Sequence, residues 1–117
     1  MSNQAYTPDS AATGIVRAID IFEGRWKLMI LFHLFGGKVL RFSQLERAIP
    51  GVSQKMLTQQ LRQLERDGMV RRIVHAQVPP KVEYELTPWG QGLCPALDAL
   101  LTWVEGGSEA RKTQDRP

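Results

Sequence analysis

A helix-length segment with leucines on one side and cations on the other, entered through Pro50-Gly51 and left through Gly68, constrains this chain more than any other feature. Pro50-Gly51 ends whatever helix precedes it, because proline has no backbone N–H and glycine readily leaves helical geometry. Ser53 then offers an N-cap side chain. From Ser53 to Asp67, Leu57, Leu61 and Leu64 recur at i, i+4 and i+7 and fall within about 60° of arc. Lys55, Thr58, Gln59, Arg62 and Arg66 lie diametrically opposite, within roughly 100°. None of these five is acidic; Glu65 sits at the edge of the face and Asp67 at the helix end. Such a helix needs a core behind it and tolerates a polyanion in front.

The flanking punctuation sets its context. Upstream, a helix is expected from about Thr13 to Phe22, with Ile15, Ala18, Ile19 and Phe22 on one face, broken at Glu23-Gly24. A second, from about Arg25 to Phe35, is apolar around most of its circumference and so central to the fold; Gly36-Gly37 stops it. Ser43-Gln44-Leu45-Glu46 reads as a capping box opening a helix of about two turns. Downstream, Met69 to Val74 and Val82 to Leu86 are short and β-branched, and Gln77-Val78-Pro79-Pro80-Lys81 makes the tip of a hairpin. Thr87-Pro88 starts a last helix running to about Glu105, with Leu93, Leu97, Leu100, Leu101 and Val104 on one side. Two helices joined by a Pro-Gly turn and followed by a hairpin spell a winged helix-turn-helix. The expected class is mainly α with a small β-hairpin wing (α+β), with a helix at each end of the winged domain. The expected division is a flexible arm over 1–12, the winged domain over 13–105 and a flexible tail over 106–117.

The charge pattern agrees with a polyanion-facing middle. The 117 residues suit one domain, and 43% apolar content is enough for a core. Net charge is only +3, but residues 38 to 81 hold nine basic against three acidic side chains, which leaves the flanks at −3. The longest apolar run, Leu28 to Phe35, is interrupted by His33 and too short for a bilayer, and no signal peptide is visible, so a cytoplasmic protein is expected. One cysteine and two distant histidines give no disulfide and no zinc site; no metal or cofactor is expected. With no phosphate loop, metal-spaced cluster or Cys–His pair, an enzyme is not expected either.

The polar helix face suits a major groove: Gln pairs with adenine, Lys or Arg with guanine, and the Thr methyl with thymine. Gln54, Lys55, Thr58 and Gln59 are placed nearest base edges, and Arg62 and Arg66 on phosphates. Lys81, beside Pro79-Pro80, puts a cation on a stiff wing tip. The competing reading of each is a solvated surface residue. His75 is read as a phosphate contact or a solvated residue, Tyr84 as alternating faces with Glu83 and Glu85. Trp26, Trp89 and Trp103 are read as packing residues, the rival for Trp26 being a ligand pocket shared with Phe22.

Several blocks carry a resemblance: Gly24-Arg25-Trp26-Lys27, Arg41-Phe42-Ser43-Gln44-Leu45, Ile49 to Leu57, Leu61 to Gly68, and Val78 to Thr87 with the following Gly90. Over roughly Thr13 to Trp103 the chain resembles the HxlR family of bacterial winged-helix regulators. The resemblance implies a homodimer on operator DNA, built through N- and C-terminal dimerisation helices, that controls nearby genes, often as a repressor and sometimes as an activator. Joined to the helix-face reading, the DNA-binding set becomes Arg41, Ser43, Ser53, Gln54, Lys55, Thr58, Gln59, Arg62, Arg66 and Lys81. Dimer contacts are assigned to the terminal helices through Ile15, Ile19, Leu93, Leu97, Leu100, Leu101, Trp103 and Val104. Redox-sensing members carry a cysteine just before the first helix; Thr13-Gly14 holds that place here, so thiol sensing does not carry over. Cys94 is read as a packing or interface residue. The alternatives are a small-molecule-responsive regulator with a pocket near the dimer interface, and a protein-binding winged helix that does not touch DNA.

Overall fold

The computed structural model describes residues 5–114, with side chains described through residue 107. The elements run α1 (Pro8–Phe22), α2 (Arg25–Leu34), β1 (Leu40–Arg41), α3 (Phe42–Ala48), α4 (Gln54–Arg66), β2 (Val70–His75), β3 (Lys81–Leu86), α5 (Pro88–Gln91) and α6 (Cys94–Gln114). The three strands form one antiparallel sheet in the order β1-β3-β2. This is a winged helix-turn-helix, with α3 and α4 as the pair and β2–β3 as the wing.

The core lies where α2, α4 and the base of the wing meet. Ile30, Leu31 and Leu34 of α2 and Leu57, Leu61 and Leu64 of α4 are buried, joined by Leu45, Ile49, Met69, Val70, Leu86 and Leu97. The i, i+4, i+7 leucine stripe is thus the inner face of α4, and α2 is central as its all-round apolar surface required. The end of α4 is a Schellman turn: Gly68 has φ +80°, its N–H donates to the Glu65 carbonyl, and the Met69 N–H donates to the Leu64 carbonyl. That turn delivers Met69 into the core and starts β2 on the next residue.

Several boundaries differ from the sequence expectation. Helix α1 starts at Pro8 rather than Thr13, because Thr7 caps it by accepting from the Ser10 N–H at 3.0 Å and proline fits its first turn. Residues 8–12, expected as arm, are therefore helical, while residues 1–4 lie outside the described part. Helix α3 starts at Phe42, so Ser43 is inside it. The cap comes instead from Gln44, whose Oε1 accepts the Arg41 N–H at 2.8 Å. The expected last helix is two: Thr87 caps one turn of α5, and α6 begins afresh at Cys94 and continues to Gln114, past the expected stop at Glu105. Strand β1 was not expected; two residues are too few to show a pattern.

Candidate nucleic-acid interface

Ser53 holds the N-terminus of α4 by accepting the Met56 N–H at 3.0 Å. That hydrogen bond occupies one lone pair of its hydroxyl and makes it first a structural residue. Beyond it, Gln54, Lys55, Gln59, Arg62 and Arg66 are exposed and Thr58 is half-buried. The outward face of α4 therefore carries the residue types assigned to it, on one convex side. Trp26 supports this helix from beneath: its ring lies 3.8 Å from where a side chain on Gly51 would begin, in the turn between α3 and α4. The indole is thus in contact with the helix-turn-helix turn, and both Trp26 and Phe22 pack against the core. Phe22 lines an apolar cavity with Ala18, Ile21, Met69, Pro88, Trp89 and Leu93, and a second with Leu28, Phe32, Leu97 and Trp103.

The wing is read by its register. Arg72 pairs with Tyr84, Ile73 with Glu83 and His75 with Lys81, so alternate residues share a face. On the outer face lie Arg71, His75, Lys81, Glu83 and Glu85, and these charges pair among themselves. Arg71 bonds Glu85. His75 Nε2 is 2.7 Å from Glu83 Oε1, and Lys81 Nζ is 3.6 Å from Glu83 Oε2. The hydrogen bond from His75 holds the Glu83 carboxyl below the usual carboxylate range, with burial opposing it and Lys81 assisting. Lys81 is thus the first rung of the ladder, not a free cation at the tip. The exposed tip, residues 76–80, is uncharged. His75, read from sequence as a phosphate contact or a solvated residue, is a partner of Glu83.

On the inner face, Tyr84 and Arg72 point towards α4, as strand alternation required for Tyr84. Arg72 Nε is 3.7 Å from Glu65 Oε2, the one ion pair among the described residues that ties the wing to α4. Burial raises the Tyr84 pKa, so its hydroxyl remains a donor across the physiological range.

Apart from Ser53, the sequence-assigned DNA-contact residues fall into three groups. Gln54, Lys55, Gln59 and Arg66 stand on the open face of α4. Thr58 and Arg62 border a cleft with Glu65, Arg72 and Tyr84. Arg41, Ser43 and Lys81 meet at a groove between the start of α3 and the wing tip, which Gln77, Pro79 and Pro80 also line. Arg72 and Tyr84 are not among the sequence-assigned DNA contacts, and nothing local distinguishes Arg72 from Arg71; only the hairpin register separates them.

The terminal helices are a second surface. No residue of α1 is buried, and Ile15 and Ile19 are 62% and 40% exposed. In α6, Leu100, Leu101, Trp103 and Val104 are exposed in the single chain. Leu97 departs from the expected interface set: at 4% exposure it already belongs to the core cluster of the single chain. Leu93 and Cys94 are half-buried against the same core.

A family model for the HxlR-like helix-turn-helix matches residues 21–112. The chain belongs to the HxlR-like helix-turn-helix family. Among its relatives, the HTH-type transcriptional regulator YtcD of Bacillus subtilis is 54% identical over 85 residues, covering 73% of this chain and 67% of YtcD. YdeP of the same organism is 44% identical over 105 residues, covering 84% and 81%. Among solved structures, one described as a MarR-family transcriptional regulator from Enterococcus faecalis V583 superposes with a TM-score of 0.83 at 38% identity, covering 96% of this chain and 99% of that one. The redox regulator HypR in its reduced form superposes with a TM-score of 0.75 at 39% identity, covering 86% and 98%. This HxlR-like chain is a transcriptional regulator of the winged helix-turn-helix type. Among its described residues no helix is long and apolar enough to cross a membrane.

Proposed function

We propose that this protein is a homodimeric, sequence-specific DNA-binding repressor that acts in the cytoplasm on an inverted-repeat operator, without catalytic activity. The observation that carries the reading is the outward face of α4, where exposed Gln54, Lys55, Gln59, Arg62 and Arg66 stand on a helix anchored by three buried leucines. An amphipathic helix fixed this firmly presents its polar side as a rigid surface, which base readout requires. Gln54, Lys55, Thr58 and Gln59 meet base edges; Arg62 and Arg66, with Arg41, Ser43 and Lys81 from the flanking groove, hold the backbone. Ser53 acts by capping the helix that presents them.

The exposed apolar faces of α1 and α6 support the dimer. Ile15, Ile19, Leu100, Leu101, Trp103 and Val104 are all large apolar side chains left exposed in the single chain, and exposed apolar patches mark interaction surfaces. A two-fold axis through these faces relates two α4 helices, which then read half-sites about one helical turn or a multiple apart.

The test is binding to a duplex recovered from a random pool by the protein itself. Gln59→Ala is expected to relax base preference with little change on unrelated duplexes. Arg66→Ala is expected to weaken all sequences similarly and to reduce the salt dependence. If neither substitution alters binding, α4 is not the reading helix.

A further inference from the structure

The cleft between α4 and the wing gathers two arginines, two hydroxyls and one carboxylate. Its α4 wall is Thr58, Leu61, Arg62 and Glu65, and its wing wall is Arg72 and Tyr84. Arg72 and Tyr84 are register partners on the face of the sheet whose next positions, Val70 and Leu86, are buried. The Arg72 side chain remains open to solvent, and its counter-charge, Glu65, is at 3.7 Å, longer than a close ion pair, so an incoming anion can reach the guanidinium. Among the described residues, no acid lies within ion-pair distance of Arg62. Two guanidinium groups thus face one carboxylate, beside two hydroxyls. Thr58 and Arg62 also belong to the outward arc of α4, so the cleft opens on the side that faces bases.

We propose that this cleft seats one phosphodiester of the DNA backbone, held by Arg72 and Tyr84 from the wing and Arg62 from α4, with Glu65 as the counter-charge that the phosphate displaces. The inference rests on the DNA-binding reading above and adds Arg72 and Tyr84 to it. Guanidinium groups suit the site because they offer several N–H donors in a fixed fork, and a tyrosine kept protonated supplies a neutral donor beside them. The seat also explains why Arg72, unlike Arg71, is not locked to an acid of its own sheet. Arg71 is neutralised by Glu85 on the outer face, whereas Arg72 reaches across to the recognition helix. A phosphate bound there fixes the angle between α4 and the wing at the moment of docking.

The experiment measures binding of the full chain to a short fluorescein-labelled duplex of mixed sequence over a series of salt concentrations. Arg72→Gln is expected to weaken binding on the order of tenfold and to make the salt slope shallower by about one. Tyr84→Phe, which keeps the ring packing, is expected to weaken it roughly threefold with the slope unchanged. Glu65→Gln is expected to bind as tightly as wild type or more tightly, because the competitor for Arg72 is gone. A merely structural Glu65–Arg72 tie predicts the opposite, with Glu65→Gln weakening binding alongside Arg72→Gln, and that result would overturn the proposal. Wild-type affinity and slope in both Arg72→Gln and Tyr84→Phe would also overturn it, while leaving the DNA-binding reading intact. A wild-type protein that binds no duplex at any salt concentration would remove both.

Discussion

A side chain at Gly90 has nowhere to go: a Cβ built there lies 2.3 Å from the Met69 carbonyl oxygen and 3.4 Å from the Leu86 Cβ. The close approach exists because Thr87 ties α5 to the end of α4, donating from Oγ1 to the Gly68 carbonyl at 2.6 Å and accepting the Gly90 N–H at 3.0 Å. Gly90→Ala is expected to destabilise the fold by roughly 2–3 kcal/mol, read by thermal or denaturant unfolding, since the clash is with backbone that cannot step aside. Glu83 gives a residue-scale prediction with a sign. Its carboxyl pKa is held low in the fold, first by the His75 hydrogen bond, so it contributes stability above the ordinary carboxylate pKa and loses that contribution as pH falls through the lowered value. Wild type is expected to melt above Glu83→Gln near neutral pH. The gap should close in acid; a gap that widens there would contradict the assignment.

At the scale of elements, α4 stands on its cap and its end. Ser53→Ala removes the acceptor for the Met56 N–H and is expected to cost about 1 kcal/mol, measured by unfolding, with DNA affinity falling as the first turn frays. This element was legible in the sequence because each of its signals is local: Ser53, three leucines at helical spacing, then Gly68. Features settled by distant partners were not legible. The outer charges of the wing looked like part of a positive segment because a count ending at Lys81 omits Glu83 and Glu85, which the hairpin folds back against Arg71, His75 and Lys81. Arg71 and Arg72 are adjacent letters with opposite fates, decided by strand register. Ser43 looked like a cap and is not, because the backbone reaches helical geometry one residue earlier and Gln44 reaches back to Arg41. Leu97 belonged by spacing to the same stripe as Leu101, but only the path of α6 over the core decides which of the two is buried.

The whole molecule is elongated. Its radius of gyration is 17.8 Å and its longest extent 65 Å, against about 13 Å for the radius of a compact domain of this length. Helices α1 and α6 account for this, carrying apolar faces away from the core where a second copy would cover them. Leu101→Glu changes a half-exposed position and is expected to leave the fold intact while shifting the mass in light scattering from dimer to monomer. The same variant should lose most of its affinity for a two-half-site duplex, because each winged domain then binds alone. The measurement that tests the central claim most directly is the sequence pattern recovered when wild-type protein selects from a random duplex pool. The account predicts an inverted repeat whose half-sites are about one helical turn or a multiple apart, with base preference lost at the same position of each half-site in Gln59→Ala. A pool that stays random, or a motif unchanged in that variant, would contradict it.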